Sequence, residues 1–158
     1  MPDRSSLGHR LRTAAALPRP ELVLTVRAML WMVAVRALLP LAGFARVHGL
    51  VRRARVRPAR RDVHAGTVSR AVERAARSVS GSTCLPQALV AARLLRVAGL
   101  PAELTIGVAR PTAPLPVART GAPVPLDAHA WTRSGDLVVA GDTDLERFTE
   151  LATFVVAP

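Results

Sequence analysis

The stretch GSTCLPQALVAARLLRVAGLPAELTIGV, residues 81–108, decides the fold of this chain. Thr83 is a residue type that caps helix N-termini, and apolar residues then recur at helical spacing until Gly99 and Pro101 end the pattern. Residues 102–109 alternate between apolar and polar types and predict a strand. The stretch therefore predicts a helix that leads into a strand, with the only cysteine of the chain at the start of the helix.

Helical periodicity dominates before this stretch, and strand-like alternation dominates after it. Further helices are predicted over residues 20–39, 41–55 and 67–80, and further strands over residues 128–133, 137–140 and 152–156. Proline-rich residues 110–126 predict a long loop, and polar residues 142–149 predict a helical turn. The order of elements predicts an α+β fold, with helices packed on a small antiparallel sheet.

The positive charge is concentrated in the first half of the chain. Residues 1–77 hold 16 Arg and 4 acidic residues, whereas residues 78–158 hold 6 Arg and 7 acidic residues. We therefore expect two regions with different roles, a basic helical N-terminal region over residues 1–62 and a core over residues 63–158. A single cysteine excludes an intramolecular disulfide and makes structural zinc improbable, which favours an intracellular protein.

The apolar residues 22–50 are the candidate for a membrane span. Arg27, Arg36 and Arg46 interrupt them, and each arginine at a bilayer centre costs about 2.5–3.5 kcal/mol on insertion scales. The sequence therefore predicts no span, and a helix lying on a membrane surface stays open. We expect a cytoplasmic location, with peripheral membrane contact as the alternative.

Cys84 is the candidate nucleophile. The positive end of a helix favours a thiolate, and its free N–H groups can hold a developing oxyanion. A cysteine nucleophile also needs a base, usually histidine, and the histidine needs an orienting group. His129 is the only one of the four histidines that begins a predicted strand. Trp131 shares its strand face, as core packing or as a wall of the site.

Three aspartates compete to orient His129, and a fourth is excluded. A turn centred on residue 135 places Asp142 beside His129, and Asp144 takes that place if the register slips. Asp127 lies on the same strand face. Asp136 lies in the turn, some 20 Å away at about 3.3 Å per residue, and is excluded.

A resemblance supports the same residues. The segment CLPQALVAARLLRVAGLPAELTIGV, then AHAW, a hairpin and a terminal FTEL, resembles the transglutaminase-like leader peptidases of lasso-peptide biosynthesis over about residues 66–154. It implies a transglutaminase- or papain-like core without cofactor or metal. It also implies a triad of Cys84 as nucleophile, His129 as general base and acid, and Asp142 as orienter. Thr132 and Arg133 stand where that family often has an acidic residue.

The resemblance also implies the partners of the chain. The substrate would be a ribosomally made precursor peptide, recognised with the help of a separate leader-binding protein. An ATP-dependent cyclase would close the ring afterwards. Gln87 is a candidate side-chain donor to the oxyanion.

Two other classes of function stay open. Cys84 could simply pack in the core of a non-catalytic, arginine-rich protein that binds an anionic membrane or nucleic acid. Nucleic acid is disfavoured because we find no helix-turn-helix spacing, no zinc motif and no aromatic platform. Within the same fold, the acyl group could pass to an amine instead of water.

Overall fold

The computed structural model describes residues 18–57, 63–109 and 127–157. It confirms an α+β fold with three helices before a four-stranded antiparallel sheet. The helices are α1 (Arg19–Arg52), α2 (Ala65–Ser78) and α3 (Cys84–Val97), and the strands are β1 (Ala102–Ala109), β2 (Ala128–Ser134), β3 (Leu137–Ala140) and β4 (Phe148–Val156). A short 3-10 helix, Leu145–Arg147, precedes β4.

α2 and α3 cover one face of the sheet, whose strand order is β3-β2-β1-β4, and α1 packs against α2 and α3. The hydroxyl of Thr132 in β2 donates a hydrogen bond of 2.8 Å to the carbonyl of Ala88 in α3. Because side chains alternate along a strand, Ala130 shares the helix-covered face with Thr132, and His129 and Trp131 project from the opposite face. The sheet therefore separates two chemically different sides.

α3 is the central element of the core. Its small side chains Ala88, Ala91 and Ala92 are fully buried, which lets the helix approach the sheet closely, while Leu89 and Leu95 fill the space against neighbouring elements. Gly99, at φ +71°, ends the helix as its sequence predicts. The first residue of α3 is thereby fixed to a rigid scaffold.

α1 consists of two helical segments, as the sequence predicts, but they meet at a different residue. Pro40 lies inside the first segment, and the kink is at Gly43, at φ 75° and ψ 163°. A proline removes one backbone hydrogen bond, whereas a positive φ suits only glycine, so the kink falls three residues later than predicted. Beyond it, His48 stacks on Phe44, and both rings contact Phe154 of β4 in a cluster of three.

The end of the chain also departs from prediction. The helical turn expected over residues 142–149 is limited to the 3-10 helix, and β4 begins at Phe148, four residues before the predicted strand. Burial of the Phe148 ring and pairing of residues 148–150 with β1 outweigh the polar character of this segment. The β2–β3 hairpin pairs Ser134 with Leu137, one residue away from the predicted register.

The proposed boundary between residues 62 and 63 adjoins residues 58–62, which lie outside the described residues, as does the predicted loop over residues 110–126. Side chains of α1 share one core cluster with α2, α3 and the sheet. By length and composition, α1 is apolar enough to cross a membrane, and 28% of its most apolar window is buried against the rest of the protein.

Candidate active site

Cys84 is the first residue of α3, as the sequence predicts. Its side chain is half-buried and packs against the hydrophobic core. Thr83 holds the N-cap position in extended conformation, but its side chain forms no capping hydrogen bond. The thiol therefore sits beside the backbone N–H groups of the first helical turn, a position that favours negative charge.

Gln87 has a different role from the expected one. Its side-chain amide donates a 3.0 Å hydrogen bond to the carbonyl of Ser82, and its backbone N–H donates to the carbonyl of Thr83. The amide is thus engaged in holding the segment that enters α3. The second N–H of this amide is not used by that bond, so Gln87 as an oxyanion donor stays a prediction beside the backbone N–H of Cys84.

His129 lies near the start of β2, and its Nε2 is 2.8 Å from the carbonyl oxygen of Gly141. A carbonyl oxygen can only accept a hydrogen bond, so Nε2 carries the proton and donates it. The lone pair of the neutral ring is then on Nδ1, which is the nitrogen free to accept a proton. The hairpin predicted from the sequence places residue 141 opposite His129, but it does not predict this hydrogen bond to the backbone.

Two aromatic rings flank the imidazole. The ring centroid of Phe148 lies 4.9 Å from that of His129, and the centroid of Trp131 lies 6.1 Å away. Trp131 is 2% exposed and passes over Gly107 of β1, where an added Cβ would approach its ring to 3.0 Å. The expectation that Trp131 shares a face with His129 is confirmed, and its bulk fixes the imidazole plane.

The three candidate aspartates and the excluded Asp136 occupy different environments. Asp127 and Asp144 both pair with Arg147, at 3.5 Å and 3.9 Å, and Asp136 lies in the exposed β2–β3 turn. Asp142 is exposed and follows the glycine whose carbonyl holds His129. Among the described residues, no ion pair joins His129 to any of the four carboxylates, so the third triad member stays a prediction.

The thiol and the imidazole come from different layers of the fold. Cys84 belongs to the helix that packs along β2, and His129 projects from the far face of β2 near its start. Within residues 18–57, 63–109 and 127–157, no hydrogen bond joins the two side chains. In the same part of the chain, no group of three or more His, Cys, Asp or Glu side chains is placed to hold a metal ion.

Comparison with known proteins agrees with this architecture. A family model described as the transglutaminase-like superfamily matches residues 29–153, which include Cys84, His129 and Asp142. No curated protein and no solved structure gave a significant match to the chain.

Proposed function

Because the chain belongs to the transglutaminase-like superfamily, which includes cysteine peptidases, we propose that it is a cysteine peptidase that removes the leader from a lasso-peptide precursor. The observation that carries the proposal is the hydrogen bond between His129 Nε2 and the carbonyl of Gly141. This bond gives His129 the tautomer that a general base requires. Cys84 at the start of α3 supplies the nucleophile.

In the proposed mechanism, substrate binding must first bring the imidazole and the thiol together, because His129 and Cys84 lie on opposite sides of β2 in the structure. Nδ1 of His129 then takes the thiol proton, and the thiolate of Cys84 attacks the carbonyl carbon at the leader–core junction. The backbone N–H of Cys84 donates to the oxyanion. The C–N bond then breaks, and His129 gives its proton to the leaving amine. Water, deprotonated by His129, attacks the thioester, releases the carboxylic acid and restores the thiol. Asp142 is assigned to stabilise the imidazolium.

The test combines the purified chain with candidate precursor peptides and detects the products by mass spectrometry. We expect one cut that separates leader from core, and its loss by several orders of magnitude in Cys84→Ala. His129→Ala should lose activity to a similar extent. Circular dichroism controls for folding, and full cleavage by a folded Cys84→Ala variant contradicts the peptidase assignment.

The same incubation distinguishes hydrolysis from acyl transfer. Hydroxylamine added to the reaction intercepts a thioester as a hydroxamate. For a peptidase, we expect mainly the free carboxylic acid when hydroxylamine is absent. A product joined to an amine of the peptide or buffer would instead assign the chain as an acyl transferase on the same scaffold.

We also propose that leader removal depends on a separate leader-binding protein, as the resemblance implies. Adding that protein should raise kcat/KM for the full precursor and leave a leaderless model substrate unaffected. An equal effect on both substrates would point to stabilisation of the enzyme and not to leader recognition. The later cyclase step lies outside this assay.

A further inference from the structure

A cavity of about 830 Å³ lies far from the candidate active site. It is bounded by the first half of α1, the segment that follows α1, and the second half of α3. Arg93 in its wall is nine residues beyond Cys84 on α3, or about 14 Å at 1.5 Å per residue. Its lining includes five arginines and one tryptophan: Arg27, Arg53, Arg55, Arg57, Arg93 and Trp31.

The positive charge of this cavity has no counter-charge among the described residues. No carboxylate is part of its lining, and none of its five arginines takes part in an ion pair there. Among the described residues, the acid closest in sequence to the lining is Glu21, which is bound by Arg70 and Arg74 of α2, at 2.9 Å and 3.0 Å. Five guanidinium groups around one cavity repel each other unless an anion joins them.

Among these arginines, Arg93 is the one whose positive charge a bound anion would stabilise most. Its guanidinium lies 3.6 Å from the centroid of the Trp31 ring, and Nη1 donates to the carbonyl of Leu50. Its Nε is buried and has no partner among the described residues. Burial also lowers the pKa of Arg93, which reflects the cost of a desolvated cation. An anion in the cavity would offset this cost.

The surface beside the cavity is apolar. Four exposed residues recur along one side of α1 and form what we call the apolar stripe: Val23, Val26, Leu30 and Val33. Val23 belongs both to the stripe and to the lining of the cavity, so the two features are continuous. Leu30 is 66% exposed, so the stripe presents a large aliphatic side chain to the solvent.

We propose that this cavity binds the phosphate of an anionic phospholipid while the apolar stripe lies among the acyl chains. Guanidinium groups match phosphate oxygens with paired hydrogen bonds, and an interfacial helix buries its apolar face at the headgroup boundary. The cavity volume suits a headgroup-sized ligand. An acidic peptide would satisfy the arginines but would leave the stripe exposed, whereas a lipid satisfies both features.

The test is vesicle flotation of the full chain with phosphatidylcholine vesicles, with and without phosphatidylglycerol. We expect flotation only with the anionic lipid, and a loss of about tenfold or more in partition for Arg53→Gln/Arg57→Gln. The matched control Arg77→Gln/Arg133→Gln removes the same charge from exposed arginines elsewhere and should change partition less than about twofold. Glycerol phosphate should compete with the vesicles.

A second variant tests the stripe separately from the phosphate site. Leu30→Ser should reduce flotation while calorimetric binding of glycerol phosphate is retained. Equal losses in the two arginine variants would overturn the proposal in favour of non-specific attraction. Glycerol phosphate binding without flotation would make this a free-phosphate site, and binding of poly-glutamate without flotation would make it a peptide site. None of these readouts depends on peptidase activity.

Discussion

At the scale of single residues, Gly141 has the most demanding position in the candidate site. Its φ is +79°, and an added Cβ would lie 2.4 Å from the carbonyl of Ala130 and 2.9 Å from the Cα of Trp131. The same residue supplies the carbonyl that holds His129. Backbone geometry at this one position therefore controls both the end of β3 and the orientation of the imidazole.

We expect Gly141→Ala to lower the free energy of unfolding by more than about 2 kcal/mol, since strain at positive φ and a backbone clash add. Any folded fraction should also cleave more slowly. Gly135→Ala is the matched control, because Gly135 has φ +59° but open space around its Cβ position. It should cost only about 1 kcal/mol. The free energies of unfolding of both variants are measured in urea. Equal losses of stability in the two variants would show that the backbone around residue 141 relieves the clash without cost.

The third triad member is also a residue-scale question. We expect Asp142→Asn to lower kcat by about a hundredfold, or roughly 2.7 kcal/mol, because the amide cannot stabilise the imidazolium. Asp136→Asn, in the exposed turn, is the control and should be neutral. Single-turnover kinetics at saturating peptide separates this effect from binding.

Two outcomes would revise that assignment. If Asp142→Asn loses less than about tenfold, the carbonyl of Gly141 alone orients His129. If Asp127→Asn or Asp144→Asn is the severe variant, the carboxylate must leave Arg147 to reach the imidazole.

At the scale of elements, one carboxylate joins α1 to α2. Glu21, in the first turn of α1, binds both Arg70 and Arg74 of α2. The hydrogen bonds from Arg70 and then Arg74 hold the pKa of Glu21 below its ordinary value. Because the pKa of Glu21 is lower in the folded chain than in the unfolded chain, these ion pairs stabilise the folded state at any pH above the unfolded pKa. The stabilisation is lost as the pH falls through the folded pKa.

We therefore expect Glu21→Gln to lower the melting temperature at neutral pH and to lose that difference from the wild type in acid. The measurement is thermal unfolding across a pH series. Glu73→Gln removes an exposed carboxylate that pairs with Arg77 within α2 at 3.9 Å, and it should have a much smaller effect. A Glu21→Gln deficit that persists at acid pH would assign the loss to packing instead of charge.

The sequence predicted elements well wherever the signal was local. α2, α3 and β1 to β3 begin and end within about two residues of prediction, because caps, periodicity and the Gly99 stop act over one helical turn. The incorrect or missing predictions concern features that depend on contacts between residues far apart in the sequence. β4 extends to Phe148 because β1 pairs with it, and the order β3-β2-β1-β4 has no local signature.

The candidate site was predictable to the same degree. Cys84 at a helix start and His129 on a strand follow from sequence, and the structure places both in those elements. The Gly141 carbonyl and the Phe148 ring were missed, because the first is backbone and the second depends on β4. The hydrogen bond from Gln87 to the Ser82 carbonyl was also missed, because it depends on how the chain enters α3.

At the scale of the whole molecule, stability should depend on the protonation of His48. The buried ring contacts both Phe44 and Phe154, and its Nε2 has no partner among the described residues. Burial, and secondarily the charge of Arg52, lower the pKa of His48. The unfolded chain then binds a proton more readily than the folded chain, so stability falls as the pH drops below about 6.5.

We expect His48→Phe to reduce this loss of stability between neutral pH and pH 5, as measured by urea midpoints. The phenyl ring can keep both aromatic contacts and cannot be protonated. His64→Gln, which removes an exposed imidazole at the start of α2, is the control and should keep the wild-type pH dependence. A His48→Phe profile that parallels the wild type would place the acid sensitivity in another group.

The placement of the two tryptophans gives this protein built-in optical reporters. The chain has no tyrosine. Its ultraviolet emission therefore comes from Trp31, under Arg93 at the cavity, and from Trp131, beside His129. Trp31→Phe and Trp131→Phe would separate the two signals. Titration with vesicles should then change the emission of Trp31, and titration with peptide that of Trp131, so that occupancy at each location is followed without a label.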